Sequence, residues 1–284
     1  MLLISVESAF AQGNKIDVLK IGSSGSLGAA ASADKEKSNL DTLKAFIKDE
    51  TGLNNEIIRQ KTWQELAEKL SKGELQIGVF QGYEFAWAKE KYADLKPLAL
   101  AVNVYPYPTA YVVTKSDNAA KDFAGLKGQS LAIPSSGQAF LRLFVDRQSE
   151  TNGKKAEEFF SKITTPENVE DALDDAVDGK ESVVVDRASL EAFKRRKPGR
   201  FNKLKEIAKS PPFPPPVIAY FAGKLDESTQ TKFKDGLLGA DKKERGQTLL
   251  TLFHLTKFET APEDFDKVLT ETRKAYPPAD AKPK

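Results

Sequence analysis

The chain has 284 residues, of which 40% are hydrophobic and 30% charged. That is the composition of a soluble globular protein with room for one large or two medium domains. Its 43 basic and 41 acidic side chains nearly cancel, and it has no cysteine. The charge balance excludes the basic footprint of a nucleic-acid binder, and the missing thiols exclude cysteine catalysis, cysteine metal sites and a disulfide framework.

No apolar run is long enough to span a bilayer. The opening MLLISVESAFAQG ends its apolar stretch in Ala9-Phe10-Ala11, a small-x-small pattern like a signal-peptidase site. Residues 1–12 therefore read as the tail of a secretory signal, which predicts a periplasmic or secreted protein. Val18 to Ile21 is a short buried strand, and the glycine- and serine-rich loop GSSGSLGAAAS follows. Leu40, Leu43, Phe46 and Ile47 recur at helical spacing up to a stop near Gly52, and Glu56 to Arg59 is a second strand. Thr62-Trp63-Gln64-Glu65 opens the next helix as a capping box. Leu66, Ala67 and Leu70 face inward, Gly73 closes the helix, and LQIGVF is the strand after it. Gln81-Gly82-Tyr83-Glu84 reads as a turn before a short helix carrying Phe85, Ala86 and Trp87. Strands at Leu98 to Val102 and Ala110 to Val113 flank Tyr105-Pro106-Tyr107-Pro108.

After a connecting turn at Asp122 to Gly128 comes LAIPSSGQAFLRLFVDR. Leu131 to Ile133 is a strand, Pro134 ends it, Ser135-Ser136-Gly137 turns, and Phe140, Leu141, Phe144 and Val145 mark an amphipathic helix. The free N–H groups and positive dipole end of a helix make such a turn an anion cradle; the same serines also serve as a plain N-cap. Thr165-Pro166-Glu167 starts a helix with Thr165 as cap and Pro166 in its first position, and Gly179 ends it. Ser182 to Val185 is an apolar strand ending at Asp186, which either caps the helix of Ala188 to Arg196 or holds a ligand. SPPFPPPVIAYFA runs extended into a strand at Val217 to Phe221. The remainder reads as helical around Phe233 and Leu237, Leu249 to Phe253, and Phe265 to Leu269, with a polar tail over 277–284. His254, the single histidine, has a buried or half-buried packing role. The basic run Lys194 to Lys205 and the acidic run Asp171 to Asp178 are solvated faces.

Two stretches about 100 residues apart, TWQELAEKLSKGELQIGVFQG and TPENVEDALDDAVDGKESVVVDRA, share one plan: a threonine-capped helix, a glycine stop and a buried strand ending in a polar turn. Helices feeding doubly buried strands predict two similar, mostly parallel α/β units. Ligands of such sheets sit beyond the carboxyl ends of the strands, which draws Gln81, Tyr83, Ser135, Ser136 and Asp186 toward one region.

Along these stretches, and along YPTAYVVTKSDNAAKDFAGLKGQSLAIPSSG and SPPFPPPVIAYFAGKLD, the chain resembles the substrate-binding proteins of ABC transporters for phosphonate, phosphite and phosphate. The resemblance implies an α/β, two-lobed periplasmic-binding-protein-like fold of type II: two mixed sheets flanked by helices, with a hinge and a central cleft. Lobe 1 would comprise 16–112 plus 217–276 and lobe 2 113–216, with crossovers near Val112 to Lys115 and near Pro216 to Ala219. The implied ligand contacts are Trp63, Gln81, Tyr83, Tyr107, Thr109, Ser135, Ser136, Gly137, Gln138 and Asp186. The implied activity is capture of a small anion for a membrane permease by a monomer, without catalysis, cofactor, metal or nucleic acid. Alternatives are a sensing domain for a membrane signalling protein and a degenerate member with a changed ligand. Two departures bear on the ligand. Ser136 is followed by Gly137-Gln138-Ala139, where the family continues with more hydroxyls. Tyr83-Glu84 stands where the family favours small residues. A zwitterion or cation held by Asp186 and Glu84 thus stays open beside a small anion.

Overall fold

The computed structural model describes residues 16–24, 33–135 and 138–278. The expected signal segment and most of the tail lie outside them. Eleven strands and eleven helices follow one another among these residues: β1 Val18–Ser23, α1 Ala33–Thr51, β2 Asn54–Arg59, α2 Trp63–Lys72, β3 Ile77–Phe80, α3 Gly82–Lys91, β4 Leu95–Val102, β5 Ala110–Lys115, β6 Ser130–Ala132, α4 Ala139–Thr151, α5 Ala156–Phe159, β7 Lys162–Thr164, α6 Val169–Val177, β8 Ser182–Asp186, α7 Arg187–Arg196, α8 Pro198–Phe201, β9 Leu204–Lys209, β10 Val217–Phe221, α9 Glu227–Leu238, α10 Glu244–Leu252, β11 Lys257–Glu259 and α11 Phe265–Ala275. They build two mixed sheets flanked by helices, a six-stranded one ordered β11-β4-β10-β3-β1-β2 and a five-stranded one ordered β7-β6-β8-β5-β9. This is the type II two-lobed architecture.

Local chemistry explains the frame. Thr62 accepts a hydrogen bond from Glu65 N at 3.2 Å to start α2, and Gly73 ends it at φ 77°. The second arm of the expected capping box lands elsewhere, because the Glu65 carboxylate accepts from Lys61 N. α2 then lies directly on the sheet: a Cβ on Gly22 would come within 2.4 Å of Leu66 Cδ1, and one on Gly78 within 2.5 Å of Leu70 Cδ1. In the second sheet Ser182, Val183, Val184 and Val185 are all buried, as a strand covered on both faces requires.

Strand register locates the cleft. β1, β2 and β3 are parallel, and so are β6, β7 and β8. β10 begins opposite the end of β3, with Val217 paired to Phe80, and β5 begins opposite the end of β8, with Ala110 paired to Asp186. The two connections between sheets, residues 103–109 and 210–216, therefore join the carboxyl edges of both sets of parallel strands. They are bound to each other, Phe213 N donating to Pro108 O, and Ser210 N of the second donates to Ala110 O where β5 begins. The carboxyl ends of the two sheets consequently flank one hinge.

Several expectations need correction. Val112 to Lys115 is not a crossover but part of β5, and Val217 to Ala219 is already β10; only Pro216 of that pair of stretches lies in a connection. Thr165 and Pro166 do not start a helix. α6 begins at Val169 under an Asn168 cap, while the Pro166 carbonyl accepts from Ser135 N. Gln81 to Glu84 is the first turn of α3 and not a loop. The C-terminal part is not all helical, since β11 pairs with β4. His254 is exposed and takes φ 53° just past α10, a left-handed helix stop with no packing role. The acidic and basic runs are not separate solvated faces. They meet: Glu170 binds Arg196 and Lys197, Asp174 binds Lys197 and Arg200, and Asp178 binds Arg200.

Candidate functional site

On the first-sheet side, α3 rises directly from the end of β3. Gln81 is its buried cap and forms a capping box with Glu84. The Glu84 carboxylate is buried, accepts from Gln81 N at 3.1 Å and accepts from Ser24 Oγ at 2.6 Å. It ties the loop after β1 to the start of α3, so the cation-holding role left open for it is spent inside the fold. Gly82 is required at that junction. A Cβ there would sit 1.9 Å from Pro214 O, because the helix start abuts the proline-rich connection.

Tyr83 follows, 9% exposed, with its ring edge-on to Trp87 at 5.0 Å. Burial, then the neighbouring Glu84 charge, push its hydroxyl well above the ordinary tyrosine range, so it stays a neutral donor. That hydroxyl has no hydrogen-bond partner among the described residues. Trp63, half-buried at the first position of α2, lies 5.9 Å from Trp87. The only two tryptophans of the chain thus form a pair. The sequence places Trp87 on the short helix without pairing it to Trp63 or Tyr83, although its i+4 spacing from Tyr83 is the signal for the second contact.

On the second-sheet side, Thr109 and Asp186 are brought together. Thr109 is buried, its carbonyl accepts from Arg187 N at 3.0 Å, and the next residue pairs with Asp186. Asp186 caps α7 by accepting from Ser189 N at 2.6 Å. Ser135 directs both its N–H and its hydroxyl to Pro166 O, at 2.9 and 3.4 Å. Ser136 and Gly137 lie outside the described residues. Gln138 is the α4 cap, and its side chain makes no capping bond, so the helix start is not closed by its own cap. Tyr107 is not part of this group. Its hydroxyl donates to Asp264 Oδ1 at 2.6 Å, and burial followed by that bond raises its pKa. Tyr105 is anchored instead to α7, donating to Glu191 while the Arg187 guanidinium stacks 4.1 Å from its ring.

α3 and α4 start at the carboxyl ends of β3 and β6, and Tyr83 and Trp87 of α3 pack with Phe140 and Phe144 of α4 in one apolar cluster. Among the described residues no group of three or more His, Cys, Asp or Glu is placed to hold a metal, and no helix is long and apolar enough to cross a membrane.

A family model described as "ABC transporter, phosphonate, periplasmic substrate-binding protein" matches residues 28–265. No curated protein matches the chain. Among solved structures the fold is similar to XAC2383 from Xanthomonas citri bound to chloride, at TM-score 0.62 and 12% identity over 92% of this chain and 98% of that one. The same protein bound to ATP gives TM-score 0.61 at 13% identity, covering 92% and 97%. PhnD1 from Prochlorococcus marinus in complex with methylphosphonate gives 0.59 at 13% identity, covering 91% and 97%. A binding protein component of an ABC phosphonate transporter from Pseudomonas aeruginosa, PA3383, gives 0.56 at 14% identity, covering 90% and 85%.

Proposed function

The chain belongs to the family of periplasmic substrate-binding proteins of phosphonate ABC transporters, and from that premise we propose that it captures a phosphonate, phosphite, phosphate or related small anion between its sheets and hands it to a membrane permease. The role is solute binding and the site of action extracytoplasmic, as membership in the family entails. We place it in the periplasm or secreted medium, acting as a monomer.

The observation that carries the anion reading is the start of α4, where Gln138 supplies no side-chain cap at the carboxyl edge of β6. Leu141 N donates to Gln138 O, and the N–H groups of Ala139 and Phe140 with the positive dipole end there suit an oxyanion. The turn residues Ser136 and Gly137 would add donors, with Ser135 as the fixed root of the turn. Across the hinge, Tyr83 would donate its neutral hydroxyl and Trp63 would form a wall, while Gln81, Tyr107 and Thr109 hold the frame. Asp186 would face the ligand only with the oxygen not bound to Ser189. A positively charged ligand is disfavoured because both carboxylates proposed for it already serve helix caps.

A second reading keeps the anion and adds a planar group, for which the Trp63–Trp87 pair offers a face. The test is a thermal-shift panel of phosphate, phosphite, methylphosphonate, sulfate and ATP, followed by calorimetry. A ligand at 100 times its Kd should stabilise by about 2.7 kcal/mol. Ser136→Ala and Trp63→Ala should each weaken binding of the hit at least several-fold with little change in unliganded stability. Undiminished affinity in both variants would remove this site, and a response to ATP alone would select the second reading.

A further inference from the structure

Two connections between the lobes are expected of a hinge; a third lies at the end of α11. The body of α11 belongs to the first lobe. Phe265 and Leu269 sit in the core formed by α2, α3 and β4, Phe265 stacks with Phe85 at 6.2 Å, and Arg273 donates to Ala86 O at 3.3 Å. One residue beyond the helix the allegiance changes. Tyr276 is 3% exposed and belongs to an apolar cluster built mainly of second-lobe residues, Phe140, Leu141 and Phe144 among them, which Tyr83 and Trp87 of α3 also enter. Its ring stacks on Phe213 of the proline-rich connection at 4.5 Å, and Phe213 in turn contacts Phe140 at 5.0 Å. The backbone is held from both sides. Trp87 Nε1 of α3 donates to Tyr276 O at 2.7 Å, and Arg147 of α4 donates to Pro277 O.

We infer that Tyr276 and Pro277 form a strap that ties α3 to α4 and limits how far the lobes open. Hinge closure needs only the two connections at 103–109 and 210–216, both at the strand ends. A third attachment made through two carbonyls and one buried ring removes rotational freedom that those two leave. The strap joins the two helices whose starts flank the cleft, so its tension falls on the spacing of the site itself. It holds whichever solute the cleft takes, because every contact in it is within the chain.

The experiment exploits the absence of cysteine. Lys72→Cys at the end of α2 and Lys180→Cys after α6 place spin labels on exposed positions of opposite lobes without any background thiol. Pulsed electron resonance on the full chain, without ligand, then gives the distribution of inter-lobe distances. Tyr276→Ala should broaden that distribution and shift it to longer distances. Because this variant also empties a core position, a second one, Trp87→Phe with Arg147→Ala, removes both carbonyl anchors and leaves the Tyr276 ring; it should shift the distribution the same way. Tyr276→Phe, which keeps the ring and both carbonyls, should superimpose on the parent. Parental distributions in both disrupting variants would overturn the strap and leave Tyr276 as a core residue.

Discussion

Removing the Ser24 hydroxyl should leave the buried Glu84 carboxylate one donor short. Ser24→Ala is therefore expected to cost about 1–3 kcal/mol, read from urea unfolding; a loss under about 0.5 kcal/mol would mean that solvent or another group replaces the hydroxyl. The opposite situation holds at the meeting of the charge runs. Glu170 sits below its ordinary value because Lys197 and then Arg196 donate to it. Burial raises Asp174, yet the bonds from Lys197 and Arg200 together outweigh it and leave it lowered. A carboxyl lowered by folding stabilises fully above its unfolded value of about 4, and that stability is lost as pH falls through the folded value. The urea midpoint should drop on acidification through this range, and less steeply in Asp174→Asn; equal slopes would exclude this pair as a contributor. These roles were only half legible in the sequence. An acid at a strand end reads alike as cap and as ligand, and at Asp186 the local N–H of Ser189 claims it. Two opposite charge runs some 20 residues apart carry no mark that the chain will fold them onto each other.

Among the elements, the capped helices were the most legible, since caps are local chemistry. Thr62→Ala should cost about 1 kcal/mol, measured as a shift in thermal midpoint that a Thr62→Ser chain largely avoids. Thr165 failed as a cap because Asn168, an equally good or better cap residue, lies closer to the apolar face that begins at Val169. Three of the four edge strands, β7, β9 and β11, passed unnoticed while every interior strand was found. The reason is burial on one side: β9, LKEIAK, buries only Ile207, and β11, KFE, only Phe258. Edge strands use charge to stay unpaired, and that charge hides their periodicity. Gly82 makes an element-scale prediction of its own. A methyl group there meets the carbonyl oxygens of Pro214 and Pro215, which cannot rotate away as a flexible side chain would. Gly82→Ala should cost at least about 1–3 kcal/mol by prising α3 from the connection, seen in the thermal midpoint; an unchanged midpoint would mean that the connection yields freely.

At the scale of the molecule, the paired helix–glycine–strand units signalled two parallel α/β lobes because both units are contiguous in sequence. The first crossover was placed a few residues late because nothing in AYVVTK distinguishes a strand of one sheet from a bridge between two; only the register of β5 against β8 and β9 does so. The same topology governs the order in which the structure can assemble. The second sheet is drawn entirely from residues 110–209, whereas β10 lies between β3 and β4 in the first. More than 130 residues lie between the end of β3 at Phe80 and the start of β10 at Val217, the strand that joins β3 to β4. Until β10 pairs, β1 to β4 are two separate edges exposing unpaired N–H and C=O groups, dependent on a distant segment for closure. A fragment of residues 103–216, which keeps the buried Phe213 of its core, should acquire cooperative structure alone, and a fragment of residues 16–102 should not, as circular dichroism and urea titration of each would reveal. Pulse-labelled hydrogen exchange during refolding should likewise protect β8 before β3. A first lobe that must wait for its last strands thus stays open, with its strand edges exposed to wrong partners, long after the second lobe has closed.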